Sequence, residues 1–317
     1  MHVLVDGDPI VYSRGVAGED RVYEVIIQDK ATGEYDAVIF DNGNEKNKWL
    51  KELDDNFEVV DQEMIRTARP VHHALGPIKR TIVGIKNEVA SKFDLHVSDL
   101  AVEVFLTGPG NFRDEVAKEK KYKGNRDRSM RPIHYDACRE YLETYYNAQV
   151  IEGDEADDAI SIMARVLTSA GVPVVICTVD KDLDQIPGHF FNYDKKVWYE
   201  IDDFDAMVLF YEQVLSGDGT DNIPGIYRIG KKKAHTMIHK WLNEYSANQW
   251  DYGMEEHLWK RIVEEYSDSM DKHPDRYVSD DPETVAIENA RLVKMQDYVG
   301  QLWTPPGYPD EVIGGTE

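Results

Sequence analysis

Two aspartates, Asp218 and Asp221, stand in GDGTDNIPGIYRIGKKKAHTMI, just ahead of Gly225, Gly230 and the triplet Lys231, Lys232 and Lys233. Carboxylates hold hard divalent ions such as Mg²⁺, which favour oxygen ligands. A glycine turn that opens a helix exposes backbone N–H groups to phosphate. From Asn222 to Lys240 there are five Lys/Arg and no Asp or Glu. The combination predicts metal-dependent chemistry on a phosphodiester, with the polymer gripped alongside. The plainer alternative is a turn before an amphipathic helix whose lysine face is solvated.

Three further acidic clusters accompany this pair. Asp6 and Asp8 follow the apolar run HVLV, and Asp180, Asp182 and Asp184 follow VPVVICTV. Glu155, Asp157 and Asp158 open a helix immediately before that second run. Open parallel sheets build their sites outside the carboxyl ends of their strands. Carboxylates brought together repel unless cations neutralise them. Several clusters at one end of a sheet therefore predict one or two bound divalent ions. Two ions about 3.5–4 Å apart would clamp the attacking and leaving oxygens of an in-line displacement. Each cluster alone has a structural explanation. Asp154 could cap a helix whose next acids suit the dipole, and DKDLDQ could be a solvated turn.

The elements that must position these acids are legible as alternating strands and helices. HVLV and LAVEVFL read as buried strands, and VPVVICTV as a third. Arg21 to Phe40 alternates around DKATGE as a β-hairpin, and Asn44 to Asn56 looks helical. In Val71–Phe93, Leu75, Ile78, Ile82, Ile85 and Val89 keep helical spacing. Further helices are expected from about Tyr135 to Asn147 and over GDEADDAISIMARVLTSAG, closed by Gly171. HFFNYD and KVWYEI look like a strand pair. The alternation implies an α/β fold with a mainly parallel sheet. The expected domains are an α/β body over 1–215, with an insertion near 20–70, a helical region over 216–246, and a C-terminal extension over 247–317 ending in a loosely held, proline-bearing tail.

The chain has 317 residues and a formal charge of −24, from 36 basic and 60 acidic residues. That balance argues against a protein that coats DNA non-specifically. The charge is uneven, however: Arg113 to Arg139 carries nine Lys/Arg against five Asp/Glu. An acidic body with two local basic surfaces suits a protein that grips nucleic acid at one place. Two cysteines, Cys138 and Cys177, give no disulfide framework or zinc spacing. MHVLVDGDP is too short and acidic for a signal peptide, and no run of 18 apolar residues occurs. A cytoplasmic setting without membrane contact is the expectation.

DGDPI after a strand resembles the nucleophile loop of haloacid-dehalogenase-type phosphatases, in which Asp6 would attack phosphate and Asp8 would be the acid. Against this, YEQVLS rather than an apolar strand precedes Asp218, and GDEADDA and the basic segments go unexplained.

VDGDPIVY, FRDEVAKEKKYKGNR, GDEADDA, TVDKDLDQI and GDGTDNIPGIYRIGKKKA together, in that order, resemble the 5′-nuclease superfamily. That superfamily includes flap endonucleases, the 5′→3′ nuclease domain of DNA polymerase I and phage 5′→3′ exonucleases, which look nearest. The resemblance implies two divalent ions, Mg²⁺ or Mn²⁺, held by Asp6, Glu155, Asp157, Asp158, Asp180, Asp182, Asp218 and Asp221. It implies hydrolysis at DNA 5′ ends or flaps, with RNA primers or RNA–DNA hybrids as further substrates and replication proteins as partners. Arg113 and Lys123 would steer the scissile phosphate, with Lys121 and Arg126 nearby. Tyr12 would stack on the terminal base. Gly225 to Gly230 resembles a helix–three-turn–helix that holds duplex backbone, in relatives with K⁺ on its carbonyls.

One departure stands out. The family places an aspartate after the second strand, where this chain has Leu106 and Thr107 in FLTGPG. Either one ion is held more weakly or Asp8 supplies the charge. A protein of this fold that binds DNA ends without cutting, and a shorter ribonuclease of the related PIN type, are the other readings.

Overall fold

A computed structural model describes residues 1–245, 252–309 and 311–312. Its strands are β1 (His2–Asp6), β2 (Glu19–Asp29), β3 (Tyr35–Phe40), β4 (Phe57–Ala68), β5 (Ala101–Thr107) and β6 (Gln149–Ile151), then β7 (Val174–Cys177), β8 (Gly188–Asn192), β9 (Val197–Ile201), β10 (Gln301–Leu302) and β11 (Glu311–Val312). Its helices are α1 (Asp8–Gly15), α2 (Gly43–Lys51), α3 (His72–Lys92), the single turn α4 (Arg113–Val116) and α5 (Tyr135–Tyr146). They continue with α6 (Ala156–Ser169), α7 (Asp203–Ser216), α8 (Lys231–Tyr245), α9 (Tyr252–Lys272) and α10 (Pro282–Val293). The chain forms two compact units. One contains Met1–Pro9, Val83–Met130 and the chain from Leu142 onward; the other contains Ile10–Ile82 and Arg131–Tyr141.

The first unit is built on a six-stranded sheet of order β6-β5-β1-β7-β8-β9. Its strands pair in parallel except β9, which runs antiparallel to β8. The mainly parallel α/β class read from the sequence holds. Val3, Leu4 and Val5 of β1 are fully buried, as expected for a strand covered on both faces. β5 pairs with one edge of β1 and β7 with the other, so the strand order reverses at β1. Asp6 ends β1 at this switch point, where open α/β sheets place their sites. Helix α6 packs Ile160 and Ala164 against Leu4, Phe105, Ile176 and Phe190.

A second core in the same unit joins α7, α8, α9 and α10 through Tyr211, Val214, Ile238, Trp241, Leu258, Ala290 and Trp303. The 216–246 region and the expected C-terminal extension thus share one core instead of forming separate parts. Trp303, in the tail expected to be loose, is buried against Trp259 at 5.0 Å between ring centroids. The tail beyond Val312 lies outside the described residues.

The second unit carries a three-stranded antiparallel sheet with β2 between β3 and β4. The predicted hairpin is β2–β3. Strand β4 is an addition, and α2 ends at Lys51, earlier than expected. The unit extends beyond the expected 20–70 insertion to both sides. The predicted face of α3 is buried at Ile78, Ile82, Ile85 and Val89. Among the described residues, no helix is long and apolar enough to cross a membrane.

Candidate active site

All the acidic clusters lie in the first unit, and a cavity of about 370 Å³ gathers most of them. Glu155, Asp157, Asp180, Asp182, Asp218 and Asp221 line it. Tyr122, Lys123, Arg126 and Lys231 line it too.

Each acid is aimed by its local structure. Asp6 is buried at the end of β1 and accepts a hydrogen bond from Thr178 Oγ1 at 2.9 Å. Thr178 Oγ1 also accepts the Asp180 N–H, and Asp180 Oδ1 accepts the Asp182 N–H, both at 2.9 Å. These bonds order the chain between β7 and a short 3₁₀ turn over Asp182–Gln185. Gln213 of α7 donates to Asp182 Oδ1 at 2.7 Å, and its own oxygen accepts from Gln185 at 2.5 Å. Asp218 and Asp221 sit in a turn closed by Gly217 and Gly225, with φ of +64° and +58°. A Cβ on Gly225 would lie 2.3 Å from the Gly217 nitrogen, so the two strands of this turn touch only because both residues are glycine.

The electrostatics divide the acids into two groups. Burial, then Asp8 and Asp180, pushes the Asp6 carboxyl up to about 8 despite the Thr178 hydrogen bond. Burial raises Asp157 well above the carboxylate range, with Asp6 and Asp180 adding to it. Asp182 is raised to about 7 by burial, then by Asp180 and Asp218. Such a set resists ionising together. Its donors are all carboxylate oxygens, so it fits a hard divalent cation, which would relieve the repulsion.

The second group already has cations. Lys123 Nζ contacts Glu155 and lies 3.4 Å from Asp221. The Arg126 guanidinium also pairs with Asp221. Burial would raise Asp221, but Lys123 and Arg126 hold it below the usual value. Tyr122 Oη donates to this pair, 2.8 Å from Asp221 and 3.1 Å from Glu155. Lys123 itself has φ of +50°, an uncommon conformation for a residue with a side chain, fixed by its N–H bond to the Asp221 carbonyl at 2.8 Å.

Two expected residues are placed differently. Arg113 lines the same cavity, but its guanidinium is held by protein partners. Its side chain is buried, with Nη1 and Nη2 bonded to Asp158 at 2.5 and 2.9 Å. Nε and Nη2 also donate to the Leu292 and Lys294 carbonyls at 2.9 and 2.8 Å. This fork ties α4 to α6 and to the end of α10. Asp158, expected as a metal ligand, is the other half of that pair. It also accepts the Gln296 N–H at 3.1 Å and does not line the cavity.

Thr107 stands where the resemblance expects an acid, and its Oγ1 accepts the Ala156 N–H at 3.0 Å. It therefore satisfies the first N–H of the helix that carries Asp157, whose N-cap is Glu155. Asp154 is not that cap; it accepts from Gln296 Nε2 at 3.1 Å. Asp8 accepts the Thr107 N–H at 2.9 Å. The sequence reading missed Tyr122, Gln213 and Asn111, which donates to Glu155 at 2.7 Å, and took Thr107 only as a missing acid. Tyr122 alone carried a signal, as an aromatic within the basic YKGNR segment.

The basic residues differ in setting. Lys231, Lys232 and Lys233 form the exposed first turn of α8, and Lys121 is exposed as well. Gly230 is exposed at the start of that helix, and Gly225 donates its N–H to buried Asn289 of α10 at 3.0 Å. Tyr12 lies in the second unit, half-exposed and 5.3 Å from the Tyr135 ring.

This is an α/β protein with a carboxylate cavity at the carboxyl edge of its sheet and a basic helix start in the same unit. No family model matches the chain. It is 31% identical over 192 residues to DNA polymerase I of Pseudomonas aeruginosa, spanning 52% of this chain and 20% of that protein. It is 31% identical over 153 residues to a 5′-3′ exonuclease of Buchnera aphidicola subsp. Acyrthosiphon pisum, spanning 44% of this chain and 52% of that one. The chain thus spans about a fifth of the polymerases and about half of the exonucleases it matches. A solved structure of the T5 D15 protein, co-crystallised with metal ions, superposes over 93% of this chain and 89% of that one, with a TM-score of 0.51 at 16% identity. The chain is homologous to DNA polymerase I and 5′-3′ exonucleases and shares the D15 fold.

Proposed function

We propose that this chain is a divalent-metal-dependent 5′ nuclease that hydrolyses DNA phosphodiesters at 5′ ends or 5′ flaps. The observation that carries the reading is the cavity itself. Asp157, Asp180, Asp182 and Asp218 line it together, Asp218 buried and Asp180 open to solvent, and a lysine-rich helix start opens beside them in the same unit. Likeness to proteins named 5′-3′ exonuclease supports the substrate and polarity. Asp6, Asp157, Asp180, Asp182 and Asp218 are the residues that would hold Mg²⁺ or Mn²⁺, with Glu155 and Asp221 at the edge. When bound, such ions supply charge stabilisation for both oxygens of an in-line displacement.

The chain's own residues have separable tasks in this reading. Lys123 and Arg126 stand at the cavity as the cations that meet the scissile phosphate. Tyr122 holds Glu155 and Asp221 apart from bulk water and fixes their orientation. Lys231, Lys232 and Lys233 grip duplex phosphates, which carry no sequence information. Cations in a helix's first turn oppose its dipole, and a bound phosphate would relieve that cost. Tyr12 stacks on an unpaired base, and the 225–230 turn offers carbonyls to K⁺. The structure of Asp6 disfavours the phosphatase reading, because a buried carboxylate held by Thr178 is poorly placed to attack a substrate.

The test is a digest of a 5′-labelled duplex, a 5′-flap substrate and an RNA–DNA hybrid, with product lengths read directly. Short labelled products in Mg²⁺ and none in chelator are expected. Tight binding of DNA ends without cleavage in Mg²⁺ or Mn²⁺ would make the chain a non-cutting end binder. A trapped phospho-aspartate on Asp6 would make it a phosphatase.

A further inference from the structure

A second candidate metal centre lies outside the acid cavity, and it uses nitrogen. His235 and His239 stand one helical turn apart on α8, with ring centroids 4.2 Å apart. Glu212 of α7 faces them, 2.7 Å from His235 Nδ1 and 3.9 Å from His239 Nε2. Among the described residues these form the one group of three or more His, Cys, Asp or Glu whose ligand atoms all lie within 4.8 Å of one another. No acid-cavity trio meets that spacing.

We infer that Glu212, His235 and His239 bind a borderline divalent transition ion of the Zn²⁺ class. The donor set argues for the class. Two imidazoles and one carboxylate suit zinc, whereas the all-oxygen cavity suits Mg²⁺. Zinc with 2.0–2.1 Å bonds in tetrahedral geometry spaces its ligands by about 3.3 Å. The 2.7 and 3.9 Å separations bracket that value, so rotamer adjustments of well under a turn of helix suffice. Both imidazoles are exposed, so an ion can enter, and solvent fills the fourth position. An ordinary His–Glu contact accounts for His235 alone; it does not account for a second imidazole converging on the same oxygen.

The position gives the ion a consequence. α7 and α8 flank the glycine turn, and Lys231 lies one turn before His235 on the same face. An ion here pins α8 to α7 and fixes the first-turn lysines relative to Asp182, whose charge Lys231 already offsets. This is a positioning role, and the site stands whether or not the chain is a nuclease.

The experiment isolates this site from the acid cavity. Zn²⁺ binding is measured by calorimetry in an Asp180→Asn/Asp182→Asn background, and Co²⁺ is used as a coloured probe of coordination. One equivalent of Zn²⁺ should persist in that background, and Co²⁺ should give the intense visible absorption of a four-coordinate site. Adding His239→Ala or His235→Ala should weaken Zn²⁺ by 100-fold or more, beyond the roughly 10–100-fold typical of losing an outer-shell partner. Circular dichroism should be unchanged, since both residues are exposed. The inference is overturned if the background binds no Zn²⁺ at micromolar concentration. It is equally overturned if His239→Ala leaves the affinity and the Co²⁺ spectrum intact.

Discussion

Replacing Arg113 with Met separates the two roles open to that residue, phosphate steering and structural anchoring. Asp158 is fully buried and meets the guanidinium through bonds of 2.5 and 2.9 Å. Without it, Asp158 retains the N–H groups of Gln296 at 3.1 Å and Glu155 at 3.4 Å. Removing one side of a buried pair leaves an uncompensated charge and costs about 3–5 kcal/mol. The Leu292 and Lys294 carbonyls lose donors as well, which favours the upper end. At about 2–4 °C per kcal/mol, the melting temperature should fall by roughly 6–20 °C. Arg113→Met/Asp158→Leu should recover most of that loss, because a well-packed apolar pair often replaces a buried ion pair without penalty. Melting followed by circular dichroism, read as a double-mutant cycle, measures both. A melting temperature within about 2 °C of the parent for Arg113→Met, together with a collapsed single-turnover rate, would refute the anchoring argument and restore the phosphate role.

Neutralising Lys231, Lys232 and Lys233 together should weaken duplex binding equally across sequences and reduce the salt slope by about 2.7, at roughly 0.9 per phosphate contact. Turnover at saturating DNA should change much less; steady-state kinetics across a salt series decides it. Gly225→Ala places a Cβ 2.3 Å from the Gly217 nitrogen at φ +58°, and should lower stability by more than about 2 kcal/mol in a urea titration. Without divalent ion, Asp6 and Asp182 sit at about 8 and about 7 folded against 3.8 unfolded, so the folded state binds more protons across that window. This stabilisation is complete below about pH 4 and lost as pH rises through 7–8, so Mg²⁺ should raise the melting temperature more at pH 8 than at pH 5.

The sequence exposes those parts of the fold whose signal is local. β1 and β7 are apolar runs, one ending in Asp6 and the other followed three residues on by Asp180, and β5 is apolar but for Glu103. β4 was hidden because much of both its faces is exposed, which flattens the alternation that marks a half-buried strand. The C-terminal helices were read as an appendage because their core contacts are tryptophans and single aliphatics scattered among charges, meeting partners far away in the chain. Arg113 shows the same limit at the site. Its partners are Asp158, Leu292 and Lys294, and nothing in FRDEV announces a pairing across 45 and 179 residues. Thr107 looked like a missing acid, but its bond to the first N–H of α6 depends on β5 ending beside that helix.

The central claim is that the acids of the cavity hold the ions that drive cleavage, and Asp180→Asn addresses it most directly. Asparagine keeps the oxygen that accepts the Asp182 N–H at 2.9 Å and removes only charge. Single-turnover cleavage of a 5′-labelled flap duplex in Mg²⁺ should fall by about 10²-fold or more, by analogy with the loss of one preorganised electrostatic group. DNA affinity measured in chelator should stay within about twofold, since the phosphate grip is proposed to lie with the lysines of α8. Cleavage by Asp180→Asn within a few-fold of the parent rate would contradict the account.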